Sequence, residues 1–280
     1  MRLQWLACAA LALAAGGAAA QQAISLVRQD QAAVPAIAYP PPAGPCRGVA
    51  IVSHGAGGSE KGYRYLGEAL AAMGHLAVVV GHAESGRAAL FAHTRGRTLR
   101  EGLAALITDP AAYHGRYLDI AAARHWAAAR CSGTESVLVG HSMGAATTLL
   151  AAGARNRLGL MAIAAFDAYI ALSPQGSGPI FPEQAWSDIR SPVLLLTGTR
   201  DDKLGGGTWR ARTEAFGSLP AGCTWLGVID GATHMHFAGN GGSQHTESIT
   251  VPVIRAFLEG VRRGDCSALP PLAGIDLRSK

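Results

Sequence analysis

The sequence contains a serine in a pattern that could make it a nucleophile. Gly140-His-Ser-Met-Gly144 is a G-x-S-x-G motif that follows the apolar run Ser136 to Val139 and precedes two small alanines. This order predicts a strand, a sharp turn and a helix, with Ser142 projecting from the turn. Because a serine hydroxyl is a poor nucleophile, it would need a histidine base, a carboxylate that orients the histidine, and hydrogen-bond donors for an oxyanion.

Two later turns offer an acid and a base. The apolar run Val193 to Thr197 leads into Asp201 and Asp202, and the run Trp225 to Ile229 leads into His234. Where a serine on such a turn is the nucleophile, the acid and then the histidine follow it in the chain, each just past a strand end. We therefore predict His234 as the base and Asp201 as its partner, with Asp202 as the alternative. Weaker candidates are Asp167 and Asp230 as acids and His236 and His245 as bases.

A glycine-rich segment offers the oxyanion donors. The apolar run Val49 to Ser53 continues into His54-Gly-Ala-Gly-Gly58, which would expose backbone N–H groups at the end of a strand. In such sites one N–H of this loop and the N–H after the nucleophile form the hole, which predicts Ala56 and Met143 as the donors. A glycine-rich turn without a ligand is the alternative. No G-K-[ST] follows, so the segment does not fit a phosphate loop.

The chain alternates short, apolar, β-rich runs with helical stretches. The predicted strands are Gly48 to Ser53, His75 to Val80, Ser136 to Val139, Tyr169 to Leu172, Val193 to Thr197 and Trp225 to Ile229. The predicted helices are Tyr63 to Met73, Asp119 to Arg130, Met143 to Ala154 and Thr246 to Arg262. Ile24 to Tyr39 predicts one or two edge strands, and Glu84 to Tyr117 predicts an elaborated helix or a partial cover over the site. The alternation predicts an α/β fold, a parallel sheet covered by helices on both faces, in a single domain over residues 21 to 280.

Composition and charge narrow the function classes. Of the 280 residues, 49% are hydrophobic and 15% are charged, which excludes a disordered or linker protein. The net charge is +5, but the densest basic cluster, formed by Arg95, Arg97 and Arg100, has no interleaved aromatic residues. Nucleic acid is therefore not an expected partner.

The first twenty residues have the layout of a cleavable secretory signal. Arg2 precedes the apolar run Leu3 to Ala15, and a series of small residues ends at Ala20 before Gln21. The run is too short to span a bilayer, and Cys8 lies inside it rather than after a lipobox. We expect cleavage after Ala20, no stable membrane anchor, and an exported protein that is periplasmic or secreted.

Export would place the remaining four cysteines in an oxidising compartment, and an even set predicts two disulfides. They are Cys46, Cys131, Cys223 and Cys266. Their number alone allows three pairings. No C-x-x-C pair is present, and His234 and His236 have no third ligand at a known spacing, so no metal or other cofactor is expected.

Taken together, the segments His54 to Gly58 and Gly140 to Gly144, with Asp201 and His234, resemble the α/β-hydrolase superfamily over about residues 49 to 259. The motifs GHSMG, TGTRDD and DGATH look most like secreted bacterial ester hydrolases near the dienelactone hydrolase, platelet-activating-factor acetylhydrolase and cutinase-like polyesterase groups. True dienelactone hydrolases have a cysteine where this chain has Ser142, which argues against a dienelactone substrate.

The resemblance implies a fold and a disulfide pattern. The family's sheet has eight mostly parallel strands, or fewer, in the order 1-2-4-3-5-6-7-8, with helices on both faces. In that order Cys46 and Cys131 precede two neighbouring strands at the same end of the sheet. Cys223 opens the last strand, and Cys266 follows a helix that runs back along it. The implied pairs are Cys46 with Cys131 and Cys223 with Cys266.

The resemblance also implies a function: an exported, monomeric serine carboxylic-ester hydrolase that works through an acyl-enzyme on a small or lipid-like ester or a polyester. An acyltransferase or peptide hydrolase with the same triad is the alternative, as is a non-catalytic binding protein on this fold. The pocket is expected in the loops after the strands, at Glu84 to Phe91, Ser173 to Trp186, and Trp209. For Trp186 and Trp209 the alternative is ordinary packing.

Overall fold

The computed structural model describes residues 21–42, 44–163, 166–202 and 206–280; the predicted signal segment lies outside them. Nine strands occur in this part of the chain: β1 (Gln22–Val27), β2 (Ala33–Tyr39), β3 (Gly48–Ser53), β4 (His75–Val80), β5 (Glu135–His141), β6 (Ala168–Leu172), β7 (Val193–Arg200), β8 (Thr224–Thr233) and β9 (Ile275–Ser279). The same residues form seven α-helices: α1 (Arg64–Ala72), α2 (Arg87–His93), α3 (Leu99–Ile107), α4 (Pro110–Ala128), α5 (Met143–Ala151), α6 (Glu214–Ser218) and α7 (Gln244–Arg263).

All nine strands belong to one sheet in the order β1-β2-β4-β3-β5-β6-β7-β8-β9. The six central strands of the sheet, in the order β4-β3-β5-β6-β7-β8, pair in parallel. Strands β1, β2 and β9 pair in the antiparallel sense. The first eight strands follow the expected order, and the segment Ile24 to Tyr39 supplies two strands. The ninth strand corrects the expected maximum of eight.

The sheet lies between two apolar cores, because both faces of its central strands are covered. Within β3, Val49 and Ile51 pack into one core and Ala50 and Val52 into the other. This alternation follows from the two-residue repeat of a strand. Helices α4 and α5 pack on the first face, and α1 and α7 on the second. The predicted three-layer α/β arrangement is confirmed.

The segment Glu84 to Tyr117 is built from several helices. It contains a short 3₁₀ turn, α2, α3 and the first two turns of α4. Helix α4 begins where Asp109 caps it, with Oδ1 accepting a hydrogen bond from the amide of Ala111 at 2.9 Å, and Pro110 occupies the first helical position. The predicted helix from Asp119 is therefore the second half of a longer helix.

Two disulfides join the four cysteines of the described chain. Cys46 is bonded to Cys131 with Cα atoms 5.4 Å apart, and Cys223 to Cys266 with Cα atoms 5.2 Å apart. These are the pairs that the family resemblance implied. They close intervals of 85 and 43 residues, and bridges over loops of this size typically stabilise a fold by about 2–4 kcal/mol.

No helix in the described part of the chain combines the length and the apolar character needed to cross a bilayer.

Candidate active site

Ser142 lies on the sharp turn between β5 and α5. Its backbone has φ 55° and ψ −116°, outside the helical and extended regions, and its amide donates to the carbonyl of Leu172 at 3.0 Å. The turn is tight: a Cβ on Gly140 would collide with the carbonyl oxygen of Gly144, and a Cβ on Gly144 with that of Ser53. The two glycines of the motif are therefore required by close backbone approach, and they leave the Ser142 side chain half-buried at the surface.

His234 and Asp201 meet Ser142 at the carboxyl ends of the parallel strands. His234 follows β8, and its Nε2 lies 2.9 Å from the Ser142 Oγ. Its Nδ1 lies 2.9 Å from Oδ1 of Asp201, which follows β7. The Asp201 side chain is fully buried, whereas the His234 side chain is 23% exposed. Serine, imidazole and carboxylate thus form a continuous hydrogen-bonded row that is open to solvent at the serine end.

The other candidate acids lie elsewhere. Asp202 is exposed, and its Oδ1 accepts a hydrogen bond from the amide of Trp209 at 3.0 Å. Asp167 binds the amide and hydroxyl of Ser136 at the opposite end of the sheet. Of the two carboxylates that the sequence left open at this turn, Asp201 is the one in contact with His234.

Three further side chains surround the Asp201 carboxylate. Arg212 places Nε 2.8 Å from Oδ1, Thr197 donates from Oγ1 to Oδ2 at 2.9 Å, and Ser173 donates from Oγ to Oδ2 at 2.5 Å. Burial lowers the pKa of the Arg212 guanidinium, while the neighbouring Asp201 carboxylate acts in the opposite direction. A buried carboxylate needs such partners to keep its charge. Their contacts with Asp201 were not predicted: Ser173 was predicted to line a pocket, and Thr197 and Arg212 were assigned no role.

The three residues predicted to line a substrate pocket have other surroundings. Ser173 is fully buried against Asp201, because the chain turns through φ 55° directly after β6 and sends the side chain inwards. Trp186 is buried and packs on Phe181 with ring centroids 5.3 Å apart. Trp209 is half-buried, with the guanidinium of Arg210 4.8 Å from its ring centre. For both tryptophans, these contacts are those of ordinary side-chain packing, the alternative to a role in a pocket that the sequence left open.

Trp186 also borders an open cleft of about 500 Å³ beside α6. None of Ser142, His234 and Asp201 belongs to its lining. The lining residues are Ser177, Glu183, Gln184, Trp186, Ser187, Glu214, Gly217 and Ser218. The cleft is therefore separate from the reactive row.

The glycine-rich loop after β3 lies directly beside Ser142. A Cβ built on Gly55 would be 3.2 Å from the Cβ of Ser142. Among the hydrogen bonds of the described residues, none uses the amide N–H of Ala56 or of Met143. The Met143 amide is free because it opens α5, where the first N–H groups have no partner within the helix. Two unused donors thus lie on the elements that flank the serine.

The buried side chain of Arg116 supports this loop through hydrogen bonds. Arg116 of α4 donates from Nη1 to the carbonyl of His54 at 2.7 Å and to the Ser53 Oγ at 3.1 Å, and from Nε to the Ser85 Oγ at 2.9 Å. Burial lowers its pKa to about 10. The His54 ring contributes too: Nδ1 donates to the carbonyl of Gly55 at 2.6 Å, and Nε2 accepts from the amide of His82 at 3.2 Å. The loop geometry is fixed by this polar cluster.

A hydrogen-bonded chain joins the glycine-rich loop to the backbone of His234. The amide of Gly55 donates to the Tyr63 hydroxyl at 3.1 Å, and this hydroxyl lies 2.8 Å from Nδ1 of His141. Nε2 of His141 then lies 3.0 Å from the carbonyl of His234, to which it donates. Burial raises the pKa of Tyr63 to about 12, and burial, with His234 second, lowers that of His141 well below 6.5. The chain therefore consists of neutral groups.

Sequence reasoning missed the residues that support the site. His141 had a signal, since it lies inside the G-x-S-x-G motif, and Thr197 had one, since it ends a predicted strand next to the acid. Tyr63 and Arg116 reach the site only through the fold, and Ser173, which was predicted to line a pocket, instead contacts Asp201.

Comparisons with solved structures bear on the fold. A cold-adapted esterase from an Arctic intertidal metagenomic library matches with a TM-score of 0.57 and 20% identity, over 84% of this chain and 92% of that chain. The esterase Pf2001 from Pyrococcus furiosus gives 0.56 and 15%, over 86% and 92%. A predicted CIB-like hydrolase from Thermoplasma acidophilum gives 0.55 and 17%, over 84% and 98%. No family model matches the sequence, and no curated protein sequence matches it significantly. The chain has the α/β-hydrolase fold.

Proposed function

We propose that this protein is a serine hydrolase that cleaves carboxylic esters, with Ser142 as nucleophile, His234 as general base and acid, and Asp201 as the carboxylate that orients His234. The observation that carries the proposal is the row from the Ser142 Oγ through His234 to Asp201, with both contacts at 2.9 Å. The row lies on the turn where an α/β hydrolase presents its nucleophile. Two unused backbone amides flank it.

The proposed reaction begins at Ser142. Its oxygen attacks the ester carbonyl carbon while its proton passes to Nε2 of His234. The buried Asp201 accepts from Nδ1–H, which leaves Nε2 unprotonated in the resting state and stabilises the imidazolium that forms. The negative oxygen of the tetrahedral intermediate binds to the amides of Ala56 and Met143.

The acyl-enzyme forms when this intermediate collapses. His234 gives its proton to the leaving alcohol, and the acyl group stays on the Ser142 oxygen. Water then attacks the acyl carbon, again with His234 as the base, and the acid departs as the serine regains its proton. The half-buried serine and the partly exposed imidazole are accessible to both reactants.

The substrate is proposed as a small or lipid-like ester or a polyester, and the protein as exported. Export is supported by the layout of residues 1 to 20 and by the two disulfides, since disulfides persist in oxidising compartments. Expression of the full sequence in a bacterium, followed by cell fractionation and intact-mass analysis, tests this point. A periplasmic or secreted product that begins at Gln21 and contains no free thiol is expected.

The decisive experiment is covalent labelling with a fluorophosphonate, read by intact mass and peptide mapping. A single adduct on Ser142 is expected, absent from Ser142→Ala. The unlabelled enzyme should hydrolyse p-nitrophenyl esters, and activity across a series of acyl chain lengths then defines the substrate. Folded, oxidised protein that takes up no fluorophosphonate contradicts the proposal.

Two controls sharpen the assignment. Asp202→Asn removes the neighbouring exposed carboxylate and should leave labelling unchanged, whereas Asp201→Asn should slow it strongly. Addition of an alcohol during turnover separates hydrolysis from acyl transfer, because an acyltransferase would give the new ester as its main product.

A further inference from the structure

Ser173 lies where the Asp201 carboxylate and the His234 imidazole meet. It is the first residue after β6 and is fully buried. Its Oγ is 2.5 Å from Oδ2 of Asp201 and 2.6 Å from Nδ1 of His234, which itself lies 2.9 Å from Oδ1 of Asp201. The three side chains therefore form a closed hydrogen-bonded triangle.

The chemistry of the three groups fixes the direction of each hydrogen bond. An ionised carboxylate only accepts, so the Ser173 hydroxyl donates to Oδ2 of Asp201. The lone pairs of the Ser173 oxygen then face Nδ1 of His234, whose proton is shared between this oxygen and Oδ1 of Asp201. A proton with two acceptors constrains the imidazole ring more than a single contact can.

The backbone holds Ser173 in this position at a cost. Its φ of 55° is positive, a backbone conformation that non-glycine residues rarely adopt because it is strained. The amide of Ser173 donates to the carbonyl of Leu196 at 2.6 Å, and its own carbonyl accepts from Nη1 of Arg212 at 3.1 Å. Arg212 also contacts Asp201, so one guanidinium positions both residues.

We propose that Ser173 is a positioning residue of the active site: its oxygen shares the Nδ1–H of His234 when the ring becomes cationic, while its hydroxyl holds Asp201. This inference rests on the proposed function, because it concerns the same row of residues. Ser173 contacts neither the nucleophile nor the place where an ester would react. Its effect passes through His234.

Thr197 provides a matched control within the same cluster. Its hydroxyl donates to the same oxygen of Asp201, Oδ2, at 2.9 Å and is equally buried. Among the hydrogen bonds of the described residues, none joins Thr197 to His234. Thr197→Val and Ser173→Ala thus remove the same support from the carboxylate, but only the second removes an acceptor from the imidazole.

The kinetic test compares kcat and KM for a p-nitrophenyl ester. Ser173→Ala is expected to lower kcat about ten- to a hundredfold with little change in KM, since the lost hydrogen bond strengthens only as charge develops on the ring. Thr197→Val removes only a support of the carboxylate and is expected to lower kcat clearly less than Ser173→Ala does. Equal losses in both variants would reduce Ser173 to a support of the carboxylate and would overturn the proposal.

A spectroscopic test does not depend on turnover. The Nδ1–H of His234 should give a far-downfield proton resonance in ¹⁵N-histidine-labelled protein, assigned by its absence in His234→Asn. Ser173→Ala should shift this resonance and Thr197→Val should leave it nearly in place. A resonance unchanged in Ser173→Ala overturns the inference even if the protein is inactive. Absence of fluorophosphonate labelling in the wild type, by contrast, contradicts the proposed function itself.

A second variant guards against loss of folding. Ser173→Gly also lacks the hydroxyl but relieves the positive φ, so its thermal stability should equal or exceed that of Ser173→Ala. Both variants must show the same loss of kcat and the same change in the resonance. Wild-type kcat in the glycine variant overturns the proposal.

Discussion

Two Ser-His-Asp rows with almost the same geometry occur among the residues that the structure describes. In one, His234 lies 2.9 Å from the Ser142 Oγ and 2.9 Å from Asp201. In the other, Nε2 of His82 lies 2.9 Å from the Ser53 Oγ, and Nδ1 lies 2.8 Å from Oδ2 of Asp119. The second row is buried at every member. Spacing alone therefore does not distinguish a reactive serine from a structural one.

The difference lies in what surrounds each imidazole. Burial, followed by the nearby Arg116 and Arg28, lowers the pKa of His82 well below 6.5, which disfavours uptake of a proton by this ring. The Ser53 oxygen also accepts from Arg116. The His234 side chain instead is 23% exposed, and both the Asp201 carboxylate and the Ser173 hydroxyl lie against its Nδ1.

The buried row has a use of its own. Ser53 and Arg116 fix the end of β3, and Arg116 binds the carbonyl of His54 at the start of the glycine-rich loop. Asp119 holds His82 and lies 3.3 Å from the Arg28 guanidinium. The buried row of Ser53, His82 and Asp119, which we call the inner row, shapes the loop that carries the proposed oxyanion donor. The outer row of Ser142, His234 and Asp201 performs the proposed chemistry.

The largest expected effect is the difference in kcat between replacement of Ser142 and replacement of Ser53. Ser142→Ala should lower kcat for ester hydrolysis by about 10⁶-fold without loss of thermal stability. Ser53→Ala should retain labelling of Ser142 but lose about 1–3 kcal/mol of unfolding free energy, because Arg116 and His82 lose a buried partner. Urea unfolding and fluorophosphonate labelling of both variants make the comparison. If Ser53→Ala alone abolished labelling, the division into two roles would be wrong.

Replacement of Asp201 and of Asp119 should also separate catalysis from stability, with a smaller loss of kcat than for Ser142→Ala. Asp201→Asn is expected to reduce kcat about 10⁴-fold, because the imidazole loses the acceptor for Nδ1–H. Asp119→Asn should cost about 3 kcal/mol of stability, since Arg28 and His82 lose a buried anion, and should change kcat little. Activity at a temperature well below each unfolding midpoint provides the measurement. An Asp119→Asn protein that is stable but inactive would contradict this comparison.

Arg116 joins Ser53 of the buried row to the glycine-rich loop beside Ser142, and its replacement should affect both stability and kcat moderately. Arg116→Lys keeps the charge but cannot reach Ser53, His54 and Ser85 together, so we expect a ten- to hundredfold loss of kcat as the loop shifts. Arg124→Lys on the same helix, where the guanidinium lies over the Phe166 ring, is the control and should leave kcat unchanged. Unaltered kcat in Arg116→Lys would exclude a role of the inner row in shaping the loop.

The dependence of stability on pH tests the buried histidines, with an expected slope for each ring that is small beside the effects above. Burial keeps the pKa of His54, His82 and His141 below 6.5 in the folded state, so the unfolded chain binds their protons first as the pH falls below 6.5. Stability is therefore full above pH 6.5 and declines below it, by about 1.4 kcal/mol per pH unit for each histidine. Burial raises the pKa of Asp119 to about 6, so the folded state takes up a proton at Asp119 before the unfolded chain does. Between pH 6 and 4 this uptake stabilises the folded state and offsets the loss of stability that one histidine causes.

Urea unfolding between pH 5 and pH 8 measures this decline. His141→Gln should reduce the slope by about 1.4 kcal/mol per pH unit, because one titrating group is removed. A stability profile that stays flat down to pH 5 would show that the three rings are not held neutral.

The sequence predicted the parts of this structure that depend on local pattern. The six central strands and the turns that follow them could be read from apolar runs ended by Gly, Ser and Asp, so Ser142, Asp201 and His234 could be placed at one edge of the sheet. The resemblance to a family gave the order of the strands and the disulfide pairs. Local pattern was enough because each of these features lies at the end of its own strand.

Other features depend on contacts between distant segments. Ser173 was predicted in a pocket, and only its positive φ and the approach of β7 turn it towards Asp201. Arg116 lies in an Ala-rich helix with no sign of a polar partner 62 residues away. Strand β9 is five residues long and follows a proline-containing stretch, so its pairing could not be inferred from its own sequence.

Strand β9 has a consequence for the behaviour of the chain in solution. It pairs with β8 from Trp225 to Ile229 and so covers the hydrogen-bonding edge of the strand that precedes His234. Its exposed Asp276 and Arg278 form an ion pair, and charged side chains on an outer strand discourage pairing with another molecule. We therefore expect β9 to reduce self-association. A chain cut before Ile275 would expose the edge of β8 to pairing with another molecule and would aggregate more readily.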